Sequence, residues 1–120
     1  MMNYHQDWLM RQIEIMIIAI ERLCFKRSTS KSAPTTDIDS YKKHLTMLIE
    51  KGNYHDAENY ANRISERSDT LWLELIVYYY SLMNKFPDSL LRKNNYSRVE
   101  MAEGLKEICK ELGIDTVLGL

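Results

Sequence analysis

An all-α fold of about five helices is predicted by three features of the sequence. Apolar residues recur at three- and four-residue intervals along almost the whole chain. Gly (4) and Pro (2) are scarce among the 120 residues, which leaves few joints and argues against a many-stranded β fold. The composition, 45% hydrophobic and 28% charged, is that of an ordinary globular chain rather than a disordered or fibrous one. At this length one domain spanning residues 1–120 is expected. A chain of this size buries roughly two thirds of its unfolded surface.

The first segment is predicted from about Asn3 to Lys26, with Asn3 as N-cap and Gln6 at the capping-box position. Ile13, Met16, Ile17, Ile20, Leu23 and Cys24 form its apolar face; Leu9, Met10, Ile15, Ile18 and Phe25 widen it. Charge is confined to Asp7, Arg11, Glu14, Glu21, Arg22 and Lys26. A helix apolar on so many sides needs cover on most of them. The Ser/Thr-rich stretch 27–36, broken by Pro34, is predicted to be a flexible linker. A second segment, about Asp37 to Lys51, follows with Tyr41, Leu45, Leu48 and Ile49 as its stripe and Thr36 or Asp37 as cap.

Gly52 is placed to end that segment in the left-handed conformation. Asn53 then caps a third segment running to about Arg67, with Tyr54, Ala57, Ala61 and Ile64 on one face. The fourth, about Asp69 to Phe86, is the most apolar and is expected at the centre of the fold; Pro87 stops it. After the joint DSLLRKNN, a fifth segment starts near Asn95 and carries Val99, Ala102, Leu105, Ile108, Cys109 and Leu112. Gly113 is its predicted stop, and the apolar tail DTVLGL is expected to pack on the bundle or on a partner.

The run GNYHDAENYANRI, residues 52–64, resembles the turn and second helix of a tetratricopeptide repeat: Gly52, Tyr54 and Ala57 match, and Tyr41 falls where the first helix carries an aromatic residue. His44 and Leu45 depart from the Leu-Gly pair usual there. A shift by the repeat length of about 34 residues brings no second match. The resemblance therefore implies one tetratricopeptide-like αα-hairpin, not an array. A second resemblance lies in DWLMRQIE, residues 7–14, followed by the Gly-x-Tyr-x-x-Ala hairpin. This order is similar to that of a family of small uncharacterised bacterial helical proteins, which implies a bacterial cytosolic protein and no known activity.

Composition narrows the function classes. The net charge of −1 supplies no field that would steer the chain to nucleic acid or anionic lipid. Lys42-Lys43 and Arg92-Lys93 are too small for a nucleic-acid footprint. The longest uncharged run has ten residues, between Glu74 and Lys85, against about twenty for a membrane span. The start lacks the features of a signal peptide, and a cytoplasmic location is expected. Cys24 and Cys109 read as buried free thiols, although a disulfide between them stays open.

His5, His44 and His55 fall on different segments, without the i, i+4 or Glu-x-x-His spacing of a helical metal site. No Gly-rich phosphate loop or nucleophile elbow occurs. The expectation is thus a non-catalytic protein-protein interaction or scaffold module without cofactor. It associates with itself as a homodimer, or with another protein, through the apolar face of its first helix. The candidate interface is Trp8, Met16 and Ile20, with Tyr78 and Tyr79 as a second aromatic patch. Gly52, Asn53, Tyr54 and Ala57 are the structural hairpin residues. The alternative is a small-molecule-binding protein or enzyme whose apolar pocket is lined by the hydroxyls of Tyr78, Tyr79 and Tyr80 near Glu74.

Overall fold

A computed structural model of the chain describes residues 4–28, 38–64 and 69–120. Among them are seven helices and no strand: α1 (Tyr4–Ser28), α2 (Ile38–Glu50), α3 (Tyr54–Arg63), α4 (Thr70–Met83), α5 (Asp88–Lys93), α6 (Arg98–Glu111) and α7 (Asp115–Leu118). The two beyond the expected five are short. One forms inside the joint DSLLRKNN and one inside the tail DTVLGL. The fifth predicted segment starts three residues late, at Arg98, because the Ser97 hydroxyl, not Asn95, accepts the Glu100 N–H as N-cap. The predicted linker loses its first two residues to α1, which runs on through Ser28. The proposed caps Asn3, Thr36 and Asp37, and Pro34, lie outside the described residues.

The helices form a slab 48 × 35 × 17 Å. Helix α4 is its centre, packing against α1, α2 and α3. Trp72, Leu73, Leu75, Ile76, Tyr79, Tyr80 and Met83 of α4 are all buried. Helix α1 lies along α4 and α6, and α7 folds back on α6. With helices about 10 Å across, a slab this thin encloses a helix on two or three sides and leaves outer faces open.

The bends carry the register. Gly52 sits at φ +79°, a left-handed conformation that other residues resist. The Asn53 N–H reaches back to Leu48 O and the Gly52 N–H to Ile49 O, closing α2 in a Schellman motif. A Cβ at Gly52 would also collide with the Asn94 side chain. Asn94 in turn donates to Tyr54 Oη and Leu90 O, so the α2–α3 bend is seated on the α5–α6 bend. Asn53 holds the N-cap position of α3, but its side chain makes no capping bond there. Gly113 closes α6 in the same way as Gly52 closes α2, with Ile114 N–H on Cys109 O.

Arg98, the first residue of α6, is 3% exposed and is the buried charge of the described residues. Its Nε donates to Asp88 Oδ1 at 2.9 Å, its Nη1 to Asn84 O and Oδ1 at 3.1 and 2.7 Å, and its Nη2 to Phe86 O. These carbonyls end α4 and lack helical partners, and a cation suits that end of the helix dipole. Asn84 also donates to Met10 O of α1. Three helices thus meet at one guanidinium, and the Asn84 side chain links a fourth, α1, to it. Arg98→Met is expected to cost about 3 kcal/mol, the scale of a broken buried ion pair, lowering the thermal midpoint by roughly 10 °C. Because an ammonium cannot span the same acceptors, Arg98→Lys should recover only a minor part. Circular-dichroism melts decide this, and equal midpoints for Arg98→Lys and the parent would remove the claim.

Candidate functional site

Helix α1 presents two distinct faces. Leu9, Ile13, Met16, Ile17, Ile20 and Cys24 are buried against the body. The opposite face exposes Asp7, Trp8, Arg11, Glu14, Ile15, Ile18, Glu21, Arg22, Phe25 and Lys26. Trp8 is 54% and Phe25 71% exposed, with Ile15 and Ile18 at 44% and 41%. Successive members lie seven, three and seven residues apart, so they share one stripe with a period near 3.5 residues, the spacing of a coiled-coil seam.

The predicted interface therefore needs correction. Met16 and Ile20 are 0% exposed and belong to the monomer core. They lie about 80° and 120° around the helix from Trp8, on the face that α4 and α6 cover. Of the predicted trio only Trp8 faces outward. Ile15, Ile18 and Phe25, read as widening the core face, are its true neighbours. Val99, expected in the stripe of α6, is likewise 44% exposed.

The three consecutive tyrosines diverge, as 100° per residue requires. Tyr78 Oη and Thr46 Oγ1 are 2.6 Å apart; because Thr46 donates to Lys42 O, Tyr78 is the donor. Tyr79 is fully buried and donates to Tyr54 O at 3.0 Å. Tyr80 donates to Glu58 Oε2. A pocket lined by all three hydroxyls does not exist. Tyr78 alone, with Cys24, Phe25, Lys42 and Glu74, lines an open groove of about 390 Å³ between α1, α2 and α4. Lys42 Nζ stands 5.2 Å from the centre of the Tyr78 ring there. Tyr79 is closed off from that groove and from the surface, so it is no partner-facing residue.

Tyr54 and Ala57 are buried at the start of α3, where Tyr54 meets the rings of Phe86 and Tyr96 edge-on or tilted, at 6.0 Å. Cys24 and Cys109 are buried free thiols. Burial and, secondarily, Asp115 push the Cys109 thiol up to about 11, which leaves it protonated and unreactive at neutral pH. His55 is exposed and bonded to Glu100 at 2.9 Å. No group of three or more His, Cys, Asp or Glu among the described residues could hold a metal ion.

A polar cluster that the sequence did not announce lies between α3, α4 and α6. Glu58 accepts from Tyr80 directly over Gly104, where an added Cβ would press on both. The one signal for it is a glycine inside a helical pattern, which often marks a close approach. Burial raises the Glu58 carboxyl above its usual range; the Tyr80 hydrogen bond and the His55 charge oppose that rise, and Glu100 adds to it. Nearby, Tyr96 is 2% exposed and its hydroxyl has no hydrogen-bond partner among the described residues.

A carboxyl whose folded pKa is raised stabilises the fold below its unfolded pKa and loses that contribution as pH rises through the folded value. Ionised Glu58 therefore works against the fold at neutral pH. Glu58→Gln, which keeps an acceptor for Tyr80, should raise the thermal midpoint at pH 8 by a few degrees. The gain should shrink as pH is lowered to 4. A pH-independent difference between variant and parent would contradict this account.

Among the described residues no helix is long and apolar enough to cross a membrane. No curated protein and no solved structure is a significant match to the chain. Residues 3–113 match a family described as a family of unknown function (DUF6483). That span includes α1 with its two faces, the hairpin at Gly52 and the Arg98 corner, and the chain belongs to this family.

Proposed function

We propose that the protein is a non-catalytic interaction module that associates with itself through the outer face of α1. The observation that carries this reading is the stripe of Trp8, Ile15, Ile18 and Phe25. Four large apolar side chains aligned on one helix form a surface of the kind that partners cover. The buried face of α1 seats the helix on the body, and the stripe stays exposed on the other side. The conspicuous polar side chains support the same reading, since Tyr79, Tyr80, Asn94 and Arg98 are committed to internal hydrogen bonds.

The tetratricopeptide-like character of the α2–α3 hairpin and a bacterial cytoplasmic setting belong to this proposal. The first is supported by Gly52 at the bend and by the small buried Ala57 and Ala61. The second is supported by the two buried free thiols. A second reading, a small-molecule binder, is favoured by the groove at Phe25 and Tyr78, where aromatic rings meet Lys42 and Glu74.

Light scattering across a dilution series of the full chain tests the main reading. A mass near twice 14.2 kDa is expected at high concentration, falling on dilution. Ile15→Lys and Ile18→Lys should each give monomer with an unchanged circular-dichroism melt. Ile20→Lys, by contrast, would place a charge in the core and unfold the chain. A monomer at every concentration would end the self-association reading and turn attention to the groove.

A further inference from the structure

We propose, resting on that self-association reading, that the second copy lies antiparallel on α1, with the two-fold axis passing between the two copies at the level midway between Met16 and Ile17. The outer stripe is a palindrome in chemical kind about that point. Ile15 and Ile18 stand equally far from it, as do Arg11 and Arg22, Trp8 and Phe25, and Asp7 and Lys26. All eight are exposed. Antiparallel pairing about this axis sets isoleucine against isoleucine and the Trp8 ring against the Phe25 ring of the other copy. It also sets Asp7 opposite Lys26.

A parallel pair would oppose Asp7 to Asp7 and Lys26 to Lys26. The two halves of the stripe differ in charge in the same sense. Asp7, Arg11 and Glu14 sum to −1, with two acids and one base. Glu21, Arg22 and Lys26 sum to +1, with one acid and two bases. Antiparallel association therefore places each half on its opposite, and it aligns the helix dipoles favourably. Arg11 meets Arg22 in one layer, where Glu14 and Glu21 on the same face supply the compensating charge. The contact is isologous, as a two-fold dimer requires, and closes without leaving a free stripe.

Cross-linking with a short bis-maleimide tests orientation separately from association. In the antiparallel pair, two copies of residue 7 are about 28 Å apart along the helix, because each lies level with residue 26 of the other at about 1.5 Å per residue. Asp7→Cys alone and Lys26→Cys alone should then give no cross-linked dimer, while an equimolar mixture of the two should. The parent protein, whose own cysteines are buried, is the blank. Light scattering of each variant reports whether it still dimerises. Dimers in which Asp7→Cys cross-links to itself would overturn the antiparallel arrangement and leave self-association standing. Dimers that cross-link in neither the single variants nor the mixture would also overturn it, by removing α1 from the interface. Loss of the dimer in the parent protein would overturn both.

Discussion

The buried guanidinium of Arg98 fixes the geometry on which the remaining surfaces depend. It gathers the closing carbonyls of α4, the first residue of α5 and the first residue of α6 into one set of hydrogen bonds. Taking a cation out of water is costly unless every donor is met, and here each nitrogen of the fork has an acceptor. The consequence is positional. With α4 and α6 tied at this corner and pressed together again where Tyr80 and Glu58 lie over Gly104, the two helices form one bed. Helix α1 rests in that bed with Ile13, Met16 and Ile20 inserted and 0% exposed. Asn84, held by Arg98, also reaches the α1 backbone at Met10. The direction in which α1 turns its other face is therefore set far from that face.

That separation explains which parts of the molecule were legible in the sequence. The existence and order of the long helices followed from periodicity. The bends at Gly52 and Gly113 followed from the conformational freedom of glycine. Both are local rules, and both hold. What failed was the assignment of faces on α1. Apolar residues run around so much of its circumference that the period alone cannot separate Met16 and Ile20 from Ile15 and Ile18. The missing information is the position of α4 and α6, which is a tertiary fact. Charge gave a partial cue, since Arg11 and Arg22 lie within the outer stripe, whereas between Leu9 and Cys24 no charged residue lies within the inner one. The Glu58 cluster and the Arg98 corner were illegible for a related reason. A lone Glu on α3 or a lone Arg after a serine cap looks like any surface charge until the fold brings acceptors and rings around it.

The three tyrosines show the limit from the other side. Three adjacent aromatic residues suggest one patch, yet helical geometry sends them to Thr46, to Tyr54 and to Glu58. The hydroxyls satisfy two junctions, that of α4 with α2 once and that of α4 with α3 twice. The aromatic run thus gives the central helix polar contacts toward α2 and α3. It is a device for specifying neighbours, and it explains why α4 can be so apolar in sequence and still hold a defined rotation in the slab.

The size of the outer stripe sets what kind of association it can support. Helix α1 has 25 residues, about 37 Å of length at about 1.5 Å per residue. A seam about 10 Å wide along it offers roughly 400 Å² per copy, about half of the ~800 Å² per partner found in stable complexes. Four apolar side chains interrupted by two arginines supply a driving force to match. In the proposed dimer a contact of this size would form and dissolve with concentration, and it would be sensitive to salt because the proposed orientation rests on charge. The family-matched span contains the helix and the bed that orients it, whereas the proposed contact is made by side chains on the outer face of α1. Changes at Ile15 or Ile18, both more than 40% exposed, are therefore expected to alter the proposed assembly at little cost to the fold. Changes at Arg98 or Gly104 act on the fold first and reach assembly through it. The two classes are separable in the molecule because its thin slab keeps the core on one side of α1 and the exposed apolar stripe on the other.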